Sequence, residues 1–188
     1  MRKNFGAKPL CYPQPVFILA AYDENGKANA MNAAWGGISE ENEISMCISA
    51  NHKTTENILL KKAFTVSMAT ASTVIPCDYV GIVSGNKEPD KFKKAGFTDT
   101  KSEFVNAPII NELPLAIECS LKSYNPETCI LIGEIINVSA DESVLNENGK
   151  VDPKKLDPIT FDPFNNTYVR LGDVVGKAFC DGLKLKEN

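Results

Sequence analysis

Histidine is nearly missing from this chain: one residue, His52, in 188. A histidine-built metal centre within one subunit is therefore excluded, and any nucleophilic triad is confined to arrangements around His52. No Cys-x-x-Cys pair occurs among the six cysteines, whose closest two, Cys119 and Cys129, are ten residues apart. That spacing suits neither a zinc site nor an iron–sulfur cluster. The thiols at 11, 47, 77, 119, 129 and 180 read as reduced and mostly buried. Cys77 in particular reads as a buried thiol, since a reactive one needs an electropositive setting. Gly-x-x-x-x-Gly-Lys-[Ser/Thr] and Gly-x-Gly-x-x-Gly are both absent, which disfavours ATP-type and dinucleotide-fold phosphate binding. Apolar runs are short: Val16 to Ala21 is strand-sized and nothing approaches a membrane span. Basic residues near Met1 are followed by prolines at 13 and 15 with no secretory apolar core between. The expectation is a cytoplasmic protein. A net charge of −4 argues against a broad nucleic-acid footprint.

What is present is a series of short strand signals with turn punctuation. Pro15 to Ala21 is a buried-strand run, and Asp23-Glu24-Asn25-Gly26 is a hairpin turn. The return strand is expected over 28–35, broken by Gly36-Gly37. Residues 43–49 alternate polar and apolar, as a half-buried strand does. A helix over 55–62 follows, with Thr54 or Thr55 as its N-cap. Further strands are expected at 64–68, 115–122 and 128–139, the last with Gly133 as a bulge or bend. A short helix interrupted at Gly81 is expected over 74–83 and a compact helix over 89–96. Single turns are expected at 141–145 and 148–149. Three Asp-Pro pairs suggest an ordered but irregular arm over 152–166, and residues 184–188 a frayed tail. Many short strands with few helices indicate one domain built on a closed antiparallel sheet, a barrel.

Two polar stretches carry candidate chemistry. In the first, a strand end delivers Asn51, His52, Lys53, Thr54 and Thr55 to a helix start. Free N–H groups, hydroxyls and a lysine together suit a phosphate. In the second, Ser84-Gly85-Asn86-Lys87 is followed one turn later by Lys91. Each also reads as an ordinary solvated helix start, and composition does not separate the two readings. Trp35, the only tryptophan, suits stacking on a planar ring, although lone tryptophans after strands more often belong to the core. His52 has no identifiable acid or nucleophile partner and suits a phosphate or ring contact equally well.

Four segments in order resemble the flavin reductase-like, flavoredoxin-type proteins of the FMN-binding split-barrel superfamily. They are the acidic hairpin with its Asn29-Ala30-Met31-Asn32 strand, the loop from Ser49 to Asn57, the run Cys77-Asp78-Tyr79-Val80-Gly81-Ile82-Val83-Ser84-Gly85 with Asp90-Lys91-Phe92, and Gly133-Glu134-Ile135 with Tyr168-Val169-Arg170-Leu171-Gly172. The match spans about residues 13–177 of a single domain covering 1–188. It implies a mainly β fold with short helices, a six-stranded antiparallel Greek-key split barrel that forms a homodimer. It also implies non-covalent FMN near the subunit interface. By resemblance, flavin-contacting positions are Asn29, Met31, Asn32, Ala33, Ala34 and Trp35, then Ser49, Ala50, Asn51, His52, Lys53, Thr54 and Thr55, then Ser84, Gly85 and Lys91. The segment 161–168 is expected across the dimer interface at the flavin. The implied activity is NAD(P)H-dependent flavin oxidoreduction toward an unnamed acceptor. The alternative is an FMN electron carrier served by protein partners. No catalytic acid–base pair and no metal are implied, because the electron chemistry belongs to the flavin.

Overall fold

The computed structural model describes residues 1–186. Strands in chain order are β1 (Gln14–Pro15), β2 (Phe17–Tyr22), β3 (Ala28–Ala33), β4 (Gly36–Glu40), β5 (Glu43–Cys47), β6 (Ala63–Met68), β7 (Asp99–Lys101), β8 (Pro108–Ile110), β9 (Leu115–Asn125), β10 (Ile130–Ala140), β11 (Ile159–Asp162) and β12 (Thr167–Arg170). Helices are α1 (Lys53–Lys61), α2 (Val74–Ile82), α3 (Lys91–Lys94) and α4 (Pro153–Leu156). Among the described residues no helix is long and apolar enough to cross a membrane.

The unbroken apolar run of β2 is explained by burial on both faces. Its odd residues Phe17, Leu19 and Ala21 enter one core with Met31, Ile44, Met46, Phe64, Val66 and Leu131. Its even residues Ile18, Ala20 and Tyr22 enter a second with Cys77, Val80, Phe92, Phe97 and Ile110. Successive strand side chains alternate faces, so one strand serves both cores. The main sheet is antiparallel with order β3-β2-β6-β9-β10-β5-β4 and curls into a half-barrel. It holds seven strands rather than six, and two small sheets, β1-β11-β12 and β7-β8, complete the fold. The mainly β split-barrel class stands.

Several local expectations change. Gly36-Gly37 does not break the chain: both residues lie within β4, opposite β5. A Cβ on Gly36 would lie 2.8 Å from the Ser45 carbonyl, so glycine there permits close pairing. Helix α1 starts at Lys53 with His52 as N-cap, not at Thr54 or Thr55. Both threonines are buried in the first turn. α2 runs through Gly81 to Ile82, and α3 is a single turn. The 152–166 segment is ordered, as expected, but it holds the regular elements α4 and β11, with Asp152 capping α4 by accepting from Lys154 N–H. Gly133 does sit at a register shift between β9 and β10. Part of the tail expected at 184–188 lies outside the described residues; 181–186 is a 3-10 helix. Only Cys77 and Cys119 of the six free thiols are fully buried, while Cys11, Cys47 and Cys180 are exposed.

Candidate functional site

The end of β3, the start of α1 and the far end of α2 enclose two adjoining cavities of about 340 and 180 Å³. Met31, Asn32, His52, Gly81 and Ile82 line both, so the two form one groove with a wide and a narrow end.

The narrow end is basic. His52, Lys53, Thr54, Ser84, Gly85 and Lys91 line it, with no carboxylate among its lining residues. The two polar loops are joined here, where the Asn86 side-chain amide donates to the Asn51 carbonyl at 2.9 Å. Asn29, buried on β3, donates to the Thr54 hydroxyl at 2.8 Å and so fixes the first turn of α1. A Cβ on Gly85 would lie 2.9 Å from Asn29 Oδ1 and 3.0 Å from Lys53 Cβ, so any side chain would crowd this cradle. Lys91 is 3% exposed and donates to the Val80 and Val83 carbonyls, each at 2.9 Å. These are carbonyls at the C-terminal end of α2, where a cation is favoured. Burial lowers its pKa to about 8. His52 is also shifted down, first by burial and then by the Lys91 charge, which favours the neutral imidazole. Lys53 points differently: its ammonium pairs with Glu56 at 2.9 Å and Glu24 at 3.8 Å, and the Glu56 bond raises its pKa. A third cavity beyond Lys53, about 300 Å³, is lined by Asp23 and Glu24 together with Lys27 and Lys53, so its charges are mixed.

The wide end is flatter and more apolar. Met31, Ala33, Ala34, Trp35, Cys47, Ile48, Phe161 and Tyr168 line it. Trp35 is 43% exposed and lies on this wall rather than in the core. The one carboxylate is Asp78, which accepts a 2.7 Å hydrogen bond from the Tyr168 hydroxyl. Burial, and then that bond, push the Tyr168 pKa up. Phe161 and Tyr168 belong to the β11–β12 hairpin and wall the cavity of their own chain. The hairpin is fastened at its tip, where Tyr12 donates to Asp162 and Phe164 stacks on Tyr12 with centroids 5.4 Å apart. The Tyr12 bond leads the causes that hold the Asp162 pKa down at about 2.

Of the residues singled out from sequence, Met31, Asn32, Ala33, Ala34, Trp35, His52, Lys53, Thr54, Ser84, Gly85 and Lys91 converge on this groove. Asn29 lies behind it. Ser49, Ala50, Asn51 and Thr55 are not among the residues lining either cavity. The Thr55 hydroxyl is buried without a partner. Asp78, Gly81, Ile82, Cys47 and Ile48 were not singled out. Asp78, Gly81 and Ile82 lay within the run from Cys77 to Gly85, which is the signal that pointed to them. Cys77 is buried, and burial raises its pKa to about 11. Among the described residues no cluster of metal-ligating side chains occurs.

Comparison with known proteins gives the family and the fold. The model of the flavin reductase like domain matches residues 10–161. The flavoredoxin of Desulfovibrio vulgaris (Miyazaki F) is 38% identical, with a TM-score of 0.92 over 97% of this chain and 100% of that one. The flavoredoxin of Methanosarcina acetivorans is 30% identical, with a TM-score of 0.88 over 98% of this chain and 100% of that one. An FMN-binding domain of a flavin reductases-like enzyme from Shewanella baltica shares the fold at 19% identity, with a TM-score of 0.76 over 87% and 89% of the two chains. On its sequence and its half-barrel alike, this chain belongs to the flavin reductase-like family of FMN-binding split barrels.

Proposed function

We propose that the groove holds FMN and that the chain passes electrons through it as a flavoredoxin-type carrier. The charge sorting of the groove carries this reading. Its narrow end sets the Lys91 ammonium beside the start of α1 with no carboxylate among its lining residues, whereas its wide end presents flat apolar walls. A phosphorylated ligand with a planar ring has that same polarity. The residues present fit the group: N–H groups of the first α1 turn, the Thr54 and Ser84 hydroxyls and the remaining N–H of Lys91 would hold the phosphate. The β3 end from Asn32 to Trp35 would run along the ring edge, with Trp35, Phe161 and Tyr168 as walls. When bound, the flavin supplies reversible electron uptake. The chain's own part is to bind, to orient and to exclude water, with Asp78 held in place by Tyr168.

Two observations favour the carrier. Flavoredoxins lie at 38% and 30% identity to this chain. Also, among the described residues no lysine or arginine lines the wide cavity to take the phosphates of a dinucleotide. The second reading is an NAD(P)H-dependent flavin oxidoreductase. It has the family description behind it, and the exposed Trp35 offers a nicotinamide a flat surface.

The discriminating experiment is anaerobic mixing of the FMN-loaded protein with NADH, NADPH or reduced methyl viologen. The carrier reading expects bleaching at 450 nm within seconds only by the viologen (a low-potential, one-electron donor). Equally fast bleaching by either nicotinamide transfers the assignment to the oxidoreductase.

A further inference from the structure

Two cysteines occupy neighbouring strands at the edge of the wide cavity. Cys47, the last residue of β5, is exposed and lines the cavity wall. Ile130, the first residue of β10, pairs directly with it, and Cys129 comes just before Ile130. The Ile48 N–H donates to the Cys129 carbonyl at 2.8 Å, so the two strands stay in step as far as Cys129. Paired strands lie about 4.8 Å apart and rise about 3.4 Å per residue, which sets the Cys47 and Cys129 Cα atoms about 6 Å apart. A disulfide bridges Cα atoms about 4.4–6.8 Å apart.

In a regular ladder such diagonal neighbours point to opposite faces. Cys129 breaks that alternation, because its φ of +59° lies in the left-handed region. Glycine or asparagine takes that conformation at less cost, yet the residue here is a half-buried cysteine. Both sulfurs lie against the β9–β10 turn. Cys47 Sγ is 3.8 Å from the Thr128 carbonyl oxygen, and Cys129 Sγ is 3.8 Å from that of Pro126. Both thiols also act on one phenol: the Tyr124 pKa is raised first by burial, then by Cys129 and by Cys47. Cys11 and Cys180 are exposed as well, but neither lines the groove.

We propose that Cys47 and Cys129 form a redox-active dithiol beside the ring site, which reduces substrate disulfides and is restored by electrons from the flavin. The electron source rests on the FMN reading; the pairing of the two thiols does not. Cys47, exposed and free, gives its proton to solvent and attacks a substrate disulfide. The substrate S–S bond breaks, a mixed disulfide forms on Cys47, and one substrate thiolate leaves and takes up a proton. Cys129 then loses its proton and displaces the second substrate thiol, closing the Cys47–Cys129 bond. Cleavage of that bond takes two electrons and two protons, which leave reduced FMN oxidised, and restores the dithiol.

The test has two arms. In the first, the flavin-free chain is equilibrated in mixtures of oxidised and reduced dithiothreitol, alkylated and digested with trypsin. The expected product is a linked pair of peptides holding Cys47 and Cys129, absent from Cys47→Ser and from Cys129→Ser. Independent alkylation of the two cysteines in every mixture overturns the proposal. In the second arm, the FMN-loaded chain is reduced with stoichiometric methyl viologen radical and mixed anaerobically with oxidised glutathione. The wild type should recover its flavin absorbance at least a hundredfold faster than either serine variant, with circular dichroism reporting the fold of each. Equal recovery in all three overturns the proposal. A chain that closes the disulfide but binds no FMN upholds the dithiol and refutes the FMN reading instead.

Discussion

Replacing Lys91 by methionine isolates the charge at the narrow end of the groove. The ammonium is buried and spends two N–H groups on Val80 and Val83, leaving one for a ligand. A phosphate about 5 Å from it gains about 3 kcal/mol at an effective dielectric near 20. Loss of phosphate hydration reduces that to about 2 kcal/mol, roughly thirtyfold in Kd. Methionine keeps the apolar stem and removes the charge. FMN binding should therefore weaken about thirtyfold, while riboflavin, which has no phosphate, binds as before. The pH dependence has a definite sign. With its pKa lowered to about 8, Lys91 is already charged below that pH, and FMN affinity is flat there. A bound dianion raises the lysine pKa, so above pH 8 binding must take up a proton. Kd then rises by up to about tenfold per pH unit. Lys91→Met abolishes that slope. It also strips two carbonyls of their donor, which should cost about 1–3 kcal/mol in urea unfolding. The assay is quenching of flavin fluorescence from pH 7 to 9.5 at fixed ionic strength. An FMN affinity that stays flat to pH 9.5, or equal losses for FMN and riboflavin in the variant, would refute the reasoning.

Three further outcomes follow from the same structure. Asp78→Asn removes the only carboxylate of the wide cavity, so the midpoint potential of bound FMN should rise. A tenfold preference for the reduced form corresponds to about 30 mV, readable by spectroelectrochemical titration. Glu118 is 1% exposed and accepts from Ser102, from Asn137 at 2.7 Å and from Ser139 at 2.9 Å. Glu118→Leu orphans those donors and should cost about 3 kcal/mol in urea unfolding; a loss under 1 kcal/mol contradicts the assigned network. Thiol titration of the native protein should modify Cys11, Cys47 and Cys180 rapidly and leave Cys77 and Cys119 unreacted until denaturant is added.

How much of this was legible in the chain depended on range. The strands at 17–22 and 43–47 announce themselves in adjacent residues, the first as a short unbroken apolar run buried on both faces and the second as a polar–apolar alternation. The start of α1 does not. Thr54 and Thr55 look like caps locally, but Asn29, twenty-five residues earlier, takes the Thr54 hydroxyl and draws the helix back to Lys53. Glycines misled for the same reason. Gly36 reads as a breaker until its pairing with the strand at 43–47 shows that close approach is what it provides. The Asp-Pro pairs suggested irregularity, yet Pro153 opens a helix, where proline is tolerated. Pro158 and Pro163 merely flank β11, outside its ladder. In the groove, the basic end was legible as a polar motif before a helix. The other wall was not, because Asp78 and Tyr168 meet across ninety residues and only the folded hairpin brings them together.

The central claim is that one groove takes a phosphate at Lys91 and a flat ring against Trp35, Phe161 and Tyr168. Its most direct test is a titration of the flavin-free protein with FMN and, separately, with riboflavin at pH 7, followed by fluorescence quenching and equilibrium dialysis. The account predicts one FMN per chain and riboflavin bound at least tenfold more weakly. No FMN binding, or riboflavin bound as tightly as FMN, would contradict it.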